Sequence, residues 1–147
     1  MASVTLVVLQ MLALLAVMWP WQATNWNAWA WIPIATGFVV KGWTIAHNRP
    51  GNFSILPEPR ANARLITTGP YAHVRHPLYF GLMLFALGCA LGWNTLAHWT
   101  SAGVLALVLD LKSRREERFL RERFAEYGDY AARTTRLIPR FASRRPS

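Results

Sequence analysis

Charge is missing from most of the first 109 residues. No Asp, Glu, Lys or Arg precedes Lys41, and none lies between Arg75 and Asp110. A helix of a soluble bundle needs a polar face, so these stretches exclude an ordinary soluble helical domain. Cysteine is almost absent. Cys89 stands alone in an apolar run, which excludes an intramolecular disulfide and leaves packing as its default role. Acidic residues are scarce, seven against sixteen Lys and Arg, for a net charge of +9. No G-x-G triplet occurs, which excludes a Rossmann-type dinucleotide site, and no repeat of solenoid period is visible.

What is present points to a membrane. The chain has 147 residues, 53% of them hydrophobic, with eight tryptophans. That length holds one domain, taken as residues 1–141, with a disordered tail at 142–147. The first apolar run, 4–19, is expected to stay as a helix, because no basic segment precedes it and no small-residue cleavage site follows. A second span covers about 28–47, with Lys41 inside it; its ammonium is expected to snorkel to the headgroups, or else to pair with Asp110. The uncharged region 77–109 would make a helix of about 50 Å at 1.5 Å per residue, too long for one crossing of a ~30 Å layer. "GWN" at 92–94 therefore breaks it into a hairpin. The predicted fold class is all-α: a polytopic membrane protein of about four transmembrane helices, the last two a short hairpin, plus a cytoplasmic C-terminal amphipathic helix.

Every Lys and Arg lies at Lys41, in the 48–76 connection, or after Asp110. The positive-inside rule then puts both termini in the cytoplasm, in what is expected to be a bacterial inner membrane. Trp19, Trp21, Trp26, Trp29, Trp31, Trp93 and Trp99 fall near the outer interface as an aromatic belt, and His98 beside them is expected to be interfacial. The basic residues interleave with glutamates beside membrane ends, which fits anionic lipid headgroups and no nucleic-acid motif. After the last span, Phe119, Leu120, Phe124 and Tyr127 recur at helical spacing, Glu117 with Arg121 and Arg118 with Glu122 form i,i+4 pairs, and Gly128 can stop the helix.

The chemistry clusters twice. The loop before the third span carries Tyr71, His73, Arg75, His76 and Tyr79; the helix after the fourth carries Lys112, Arg115, Glu116 and Glu117. A hairpin brings both clusters to the same side of the membrane. Carboxylates beside cations at an interface suit a small molecule with both an amine and a carboxylate, such as the aminocarboxyl end of S-adenosylmethionine. A solvated helical face is the plain alternative for the Glu pair.

Taken together, "LITTGPYAHVRHPLYFG", then "EERFLRERFAEYGDY" and "RLIPRF", resemble the isoprenylcysteine carboxyl methyltransferase and phospholipid methyltransferase superfamily of membrane enzymes, over roughly 50–141. The resemblance implies an S-adenosylmethionine-dependent methyltransferase at the cytoplasmic membrane face, acting on an O, N or S nucleophile of a lipidic, amphiphilic or small-molecule acceptor. It implies cofactor contacts at Arg64, Leu65, Ile66, Tyr71, His76, Pro77, Leu78, Tyr79 and Glu116, and a substrate contact at Lys112. In this reading Leu65, Ile66 and Pro77 wall the adenine, Tyr71 and Tyr79 face the sulfonium, and Glu116 accepts from amino or ribose groups. Arg75 or His76 would pair with the cofactor carboxylate, while a structural role for Arg75 in the loop stands beside that. An acceptor that must lose a proton could use His73, Asp110 or Glu117. No metal is implied. Two alternatives are an NADPH-dependent sterol or steroid reductase-like enzyme, which shares the Arg-His-Pro-x-Tyr stretch, and a non-catalytic membrane protein.

Overall fold

The computed structural model describes residues 3–21, 25–48 and 64–139. Among the described residues five helices follow one another: α1 (Ser3–Met18), α2 (Trp31–His47), α3 (Pro77–Trp93), α4 (Leu96–Arg123) and α5 (Tyr127–Arg133), with 3-10 turns at Ala28–Ala30 and Gly69–Ala72. Among the described residues there is no β-strand, only a single parallel bridge between Val74 and Thr135. The all-helical expectation holds. The tail at 142–147 and most of the 48–63 connection lie outside the described residues.

Each boundary has a local cause. Pro77 opens α3 at a position whose backbone N–H would have no helical partner. Asn94 ends the helix in the left-handed region, φ 48°, a conformation that Asn tolerates better than most side chains. Thr95 then caps α4 by accepting from the His98 N–H. The hairpin break expected at 92–94 is therefore present.

Two expectations fail. α4 does end in a charged extension, but it stops at Arg123, where Phe124 turns extended, and Gly128 lies inside α5. Ending there lets the chain fold back, so that Tyr127 and Tyr130 become buried. His98 is not interfacial but wholly buried. Its Nε2 lies 3.0 Å from the Trp19 carbonyl and its Nδ1 2.7 Å from Thr95 Oγ1, and Trp93 stacks on it at 4.6 Å. A carbonyl only accepts, so Nε2 carries the proton and Nδ1 accepts from the threonine hydroxyl.

The helices pack in the order α2, α3, α4, α1, with α1 also touching α3. The core joins Ala13 and Val17 of α1 to Ala86 and Cys89 of α3 and Leu105 and Leu109 of α4, so Cys89 is a packing residue as expected. α2 and α3 approach closely through glycine. A Cβ on Gly37 would lie 2.6 Å from the Gly81 carbonyl, so any larger residue forces the helices apart. At the hairpin end the tryptophans gather: Trp26 packs on Trp31 at 5.5 Å and edge-on to Trp93 at 4.9 Å. The clustered cations and both Glu116 and Glu117 lie toward the other end.

Among the described residues, no helix is long and apolar enough to cross a membrane. α1, α2 and α3 have 16, 17 and 17 residues, which at 1.5 Å per residue is about 25 Å against a ~30 Å hydrocarbon layer. α4 is longer, but its second half is charged.

Candidate functional site

The site forms where the loop before α3 meets the charged half of α4. The turn at Gly69–Ala72 starts with Gly69 at φ 60°, in the left-handed region that glycine adopts freely, and with Pro70 buried. The chain then runs through Val74, Arg75 and His76 alongside residues 134–136. The Arg75 N–H donates to the Thr135 carbonyl at 2.8 Å and the His76 N–H to the Arg136 carbonyl at 3.1 Å. This C-terminal strap is itself tied to α4, where Arg136 pairs with Asp110; Asp110 also holds Arg114 at 2.7 Å. Lys41 therefore does not take Asp110 as its partner.

Arg75 is the clamp. Its Nε donates to Glu117 Oε1 at 2.7 Å and its Nη2 to Oε2 at 3.3 Å, while Nη1 donates to the Ala131 carbonyl at 2.9 Å and to the Thr134 carbonyl. One guanidinium thus joins the loop, α4 and the end of α5, and its fork geometry is what makes arginine suited to this.

His76 is 7% exposed and lies between the two glutamates: Nε2 is 3.3 Å from Glu117 Oε1 and Nδ1 is 3.4 Å from Glu116 Oε2. Burial alone would lower its pKa, but hydrogen bonds to and the charges of Glu116 and Glu117 outweigh it and raise the value above the ordinary histidine range. Burial would raise the carboxyl of Glu117, yet His76 and Arg75 together hold it down to about 2. Glu117 is thus an ion-paired structural anion, and the solvated-face alternative fails for it.

Tyr79 completes the meeting. Its hydroxyl donates to Glu116 Oε2 at 2.9 Å, its ring stacks on His76 with centroids 5.3 Å apart, and the Lys112 ammonium lies 5.4 Å from the ring centroid. Lys112 is buried and donates to Gln10 Oε1 of α1 at 2.8 Å. Tyr71 stands on the loop side: Asn48 donates to its hydroxyl at 3.0 Å, and Tyr130 donates to its carbonyl at 2.7 Å. Burial, then the charge of Glu116, pushes the Tyr71 hydroxyl up to about 12, with the Asn48 bond opposing.

The structure thus brings together Arg75, His76, Tyr79, Lys112, Glu116 and Glu117, with Tyr71 within electrostatic reach. Pro77 and half-buried Leu78 follow His76 in the first turn of α3, and half-buried Leu65 and Ile66, with exposed Arg64, lead into the Gly69 turn. His73 is exposed, its ring 6.2 Å from that of Trp43, and its carbonyl accepts from Thr135. Among the described residues it has no hydrogen bond or ion pair to Glu116 or Glu117. Gln10, Asn48, Tyr130 and the strap were missed as site-forming residues. Gln10 did carry a signal: a lone amide within the apolar run of α1.

The phospholipid methyltransferase family profile matches residues 28–127, which spans the loop, α3 and the acidic part of α4. The chain belongs to this family. Two metal-resistance proteins are among its relatives. This phospholipid methyltransferase family member is 40% identical over 87 residues to the cobalt-zinc-cadmium resistance protein CzcN of Cupriavidus metallidurans, and 36% identical over 87 residues to the nickel-cobalt-cadmium resistance protein NccN of Alcaligenes xylosoxydans xylosoxydans. Each match covers 56% of this chain and 39% of the relative, so the chain spans about two-fifths of the length of the curated relatives it matches.

Proposed function

We propose that this member of the family is an S-adenosylmethionine-dependent methyltransferase working at the cytoplasmic face of a membrane. The observation that carries the reading is the junction of Tyr79 with Glu116 at 2.9 Å, beside His76 and Lys112. A half-buried carboxylate next to tyrosine rings fits a sulfonium with an ammonium nearby, since both the charge and the ring faces attract cations. When bound, that cofactor supplies an electrophilic methyl group, whose bond to sulfur breaks as the acceptor's lone pair bonds to carbon. The protein's part is alignment and electrostatics.

In this reading Glu116 receives the cofactor's amino or ribose groups. Tyr71 and Tyr79 face the sulfonium, and Leu65, Ile66, Pro77 and Leu78 wall the adenine, with Arg64 at the rim and buried His76 beside Glu116. Lys112 faces the acceptor. We assign Arg75 and Glu117, expected from sequence to meet the cofactor carboxylate and to serve as a base, to positioning, because they pair with each other, Arg75 also donates to the Ala131 and Thr134 carbonyls, and Glu117 also holds His76. His73, exposed on the loop, is the base for acceptors that must lose a proton.

We further propose that α1, α2, α3 and the apolar first half of α4 sit in a bilayer. Val4, Val8, Leu12, Leu15, Phe38, Val39, Val104 and Leu107 are all about half exposed or more, an apolar sheath far beyond isolated surface residues. Short helices can be accommodated by local thinning and by the flanking tryptophans. The relatives' names concern resistance to metal ions; we propose that any part this chain plays there runs through methylation of a membrane or amphiphilic acceptor.

Calorimetric titration of the detergent-solubilised chain tests the cofactor. S-adenosylmethionine should bind and NADPH should not, and Glu116→Gln should weaken binding about tenfold, the worth of one charged hydrogen bond. Heat from NADPH alone would reverse the assignment in favour of a reductase, and no heat from either would support a non-catalytic role.

A further inference from the structure

α1 and α2 both rest on α3, with a crevice between them of about 340 Å³, at the lower end of the size range of small-molecule sites. Met11, Leu14 and Met18 line it from α1, Phe38 from α2, and Leu82 and Phe85 from α3. From Met11 to Met18 it extends about 10 Å along the helix at 1.5 Å per residue.

One charged side chain stands in this lining, Lys41. It is the sole Asp, Glu, Lys or Arg of α2. Its stem crosses α3 at a glycine: a Cβ on Gly81 would come within 2.6 Å of Lys41 Cγ. Its ammonium lies 5.8 Å from the Phe38 ring, and among the described residues it forms no ion pair, Asp110 being held by Arg114 and Arg136. Gly81 is two residues beyond Tyr79 on α3, so the cation sits toward the end of the bundle that carries the acidic site. Lys41 is a half-buried residue lining an otherwise apolar slot, and a cation so placed offers an anionic headgroup a partner beside hydrocarbon.

We propose that the crevice binds the hydrocarbon chain of a single-chain anionic amphiphile, of the fatty-acid type, with its carboxylate on Lys41. The cation selects the headgroup, and the modest volume selects one chain over a diacyl lipid. This site is separate from the methyl-donor site, because none of its lining residues belongs to the Tyr79–Glu116 junction.

The test uses the full chain in a neutral maltoside detergent, titrated with cis-parinaric acid, whose fluorescence rises in apolar surroundings, and with its methyl ester. Saturable binding of one acid per chain is expected, with the ester about tenfold weaker. Lys41→Gln should weaken acid binding by a similar factor and leave the ester unchanged. Leu15→Trp, at an exposed position on the lining, should weaken both. Equal affinity for acid and ester, or uptake that never saturates beyond micelle partitioning, overturns the proposal. A parallel S-adenosylmethionine titration keeps the two readings apart: its failure would leave this site standing, and unsaturable parinaric acid would leave the methyl-donor reading standing.

Discussion

Arg75 and Glu117 show what a single buried ion pair does here. Each side chain is about one-tenth exposed, so removing either partner strands a charge. Arg75→Ala should cost about 3 kcal/mol, read as a fall in the unfolding midpoint with the helical signal retained below it; an unchanged midpoint would mean the clamp is unimportant. His76 adds a pH dependence. Its pKa is raised in the folded state, so its contribution is complete below about 6.5 and is lost as pH rises through the higher folded value. Glu117 works in the other sense: its contribution is present above about 4.3 and is lost as pH falls towards its folded value of about 2. Thermal midpoints should therefore decline on the alkaline side of about pH 6.5, and His76→Gln should flatten that limb; an identical decline in the variant would assign the titration elsewhere. The residue types of this site were legible because loop and helix carried their polar groups in two dense clusters. That Arg75 and Glu117 would spend themselves on each other was not legible, since that depends on contacts set by the return of residues 134–136.

Glycine decides how the helices meet. Gly37→Ala should push α2 from α3 and lose about 1–3 kcal/mol through overpacking. Gly103→Ala, where an added Cβ meets nothing within 4 Å, should gain up to about 1 kcal/mol from helix propensity. Chemical unfolding of both variants checks the contrast, and equal effects would deny the close approach its importance. The helix starts and the hairpin could be read from Pro77 and the "GWN" break because such signals are local. The stop at Phe124 could not, because burying Tyr127 and Tyr130 against the loop is a long-range gain that outweighs the freedom of Gly128. His98 was misread for the same reason: its partners include the carbonyl of Trp19, seventy-nine positions away.

The whole molecule is polarised along its helices, with tryptophans around Trp26 and Trp93 at one end and the acidic and basic groups of α4, α5 and the strap at the other. If the apolar sheath faces lipid, the chain reconstituted into vesicles should resist alkaline carbonate extraction, and lipids brominated along their chains should quench its tryptophan fluorescence; release into the supernatant would dismiss the bilayer placement. The alternating pattern of uncharged and charged stretches made this polarity readable from sequence, whereas helix lengths of 16 and 17 residues depended on caps that hydropathy does not see. Finally, the backbone N–H groups of Arg75 and His76 donate to the carbonyls of Thr135 and Arg136. Because that strap follows all five helices in chain order, the loop's backbone is pinned by some of the last described residues of the molecule, and its geometry depends on the chain having returned past α5.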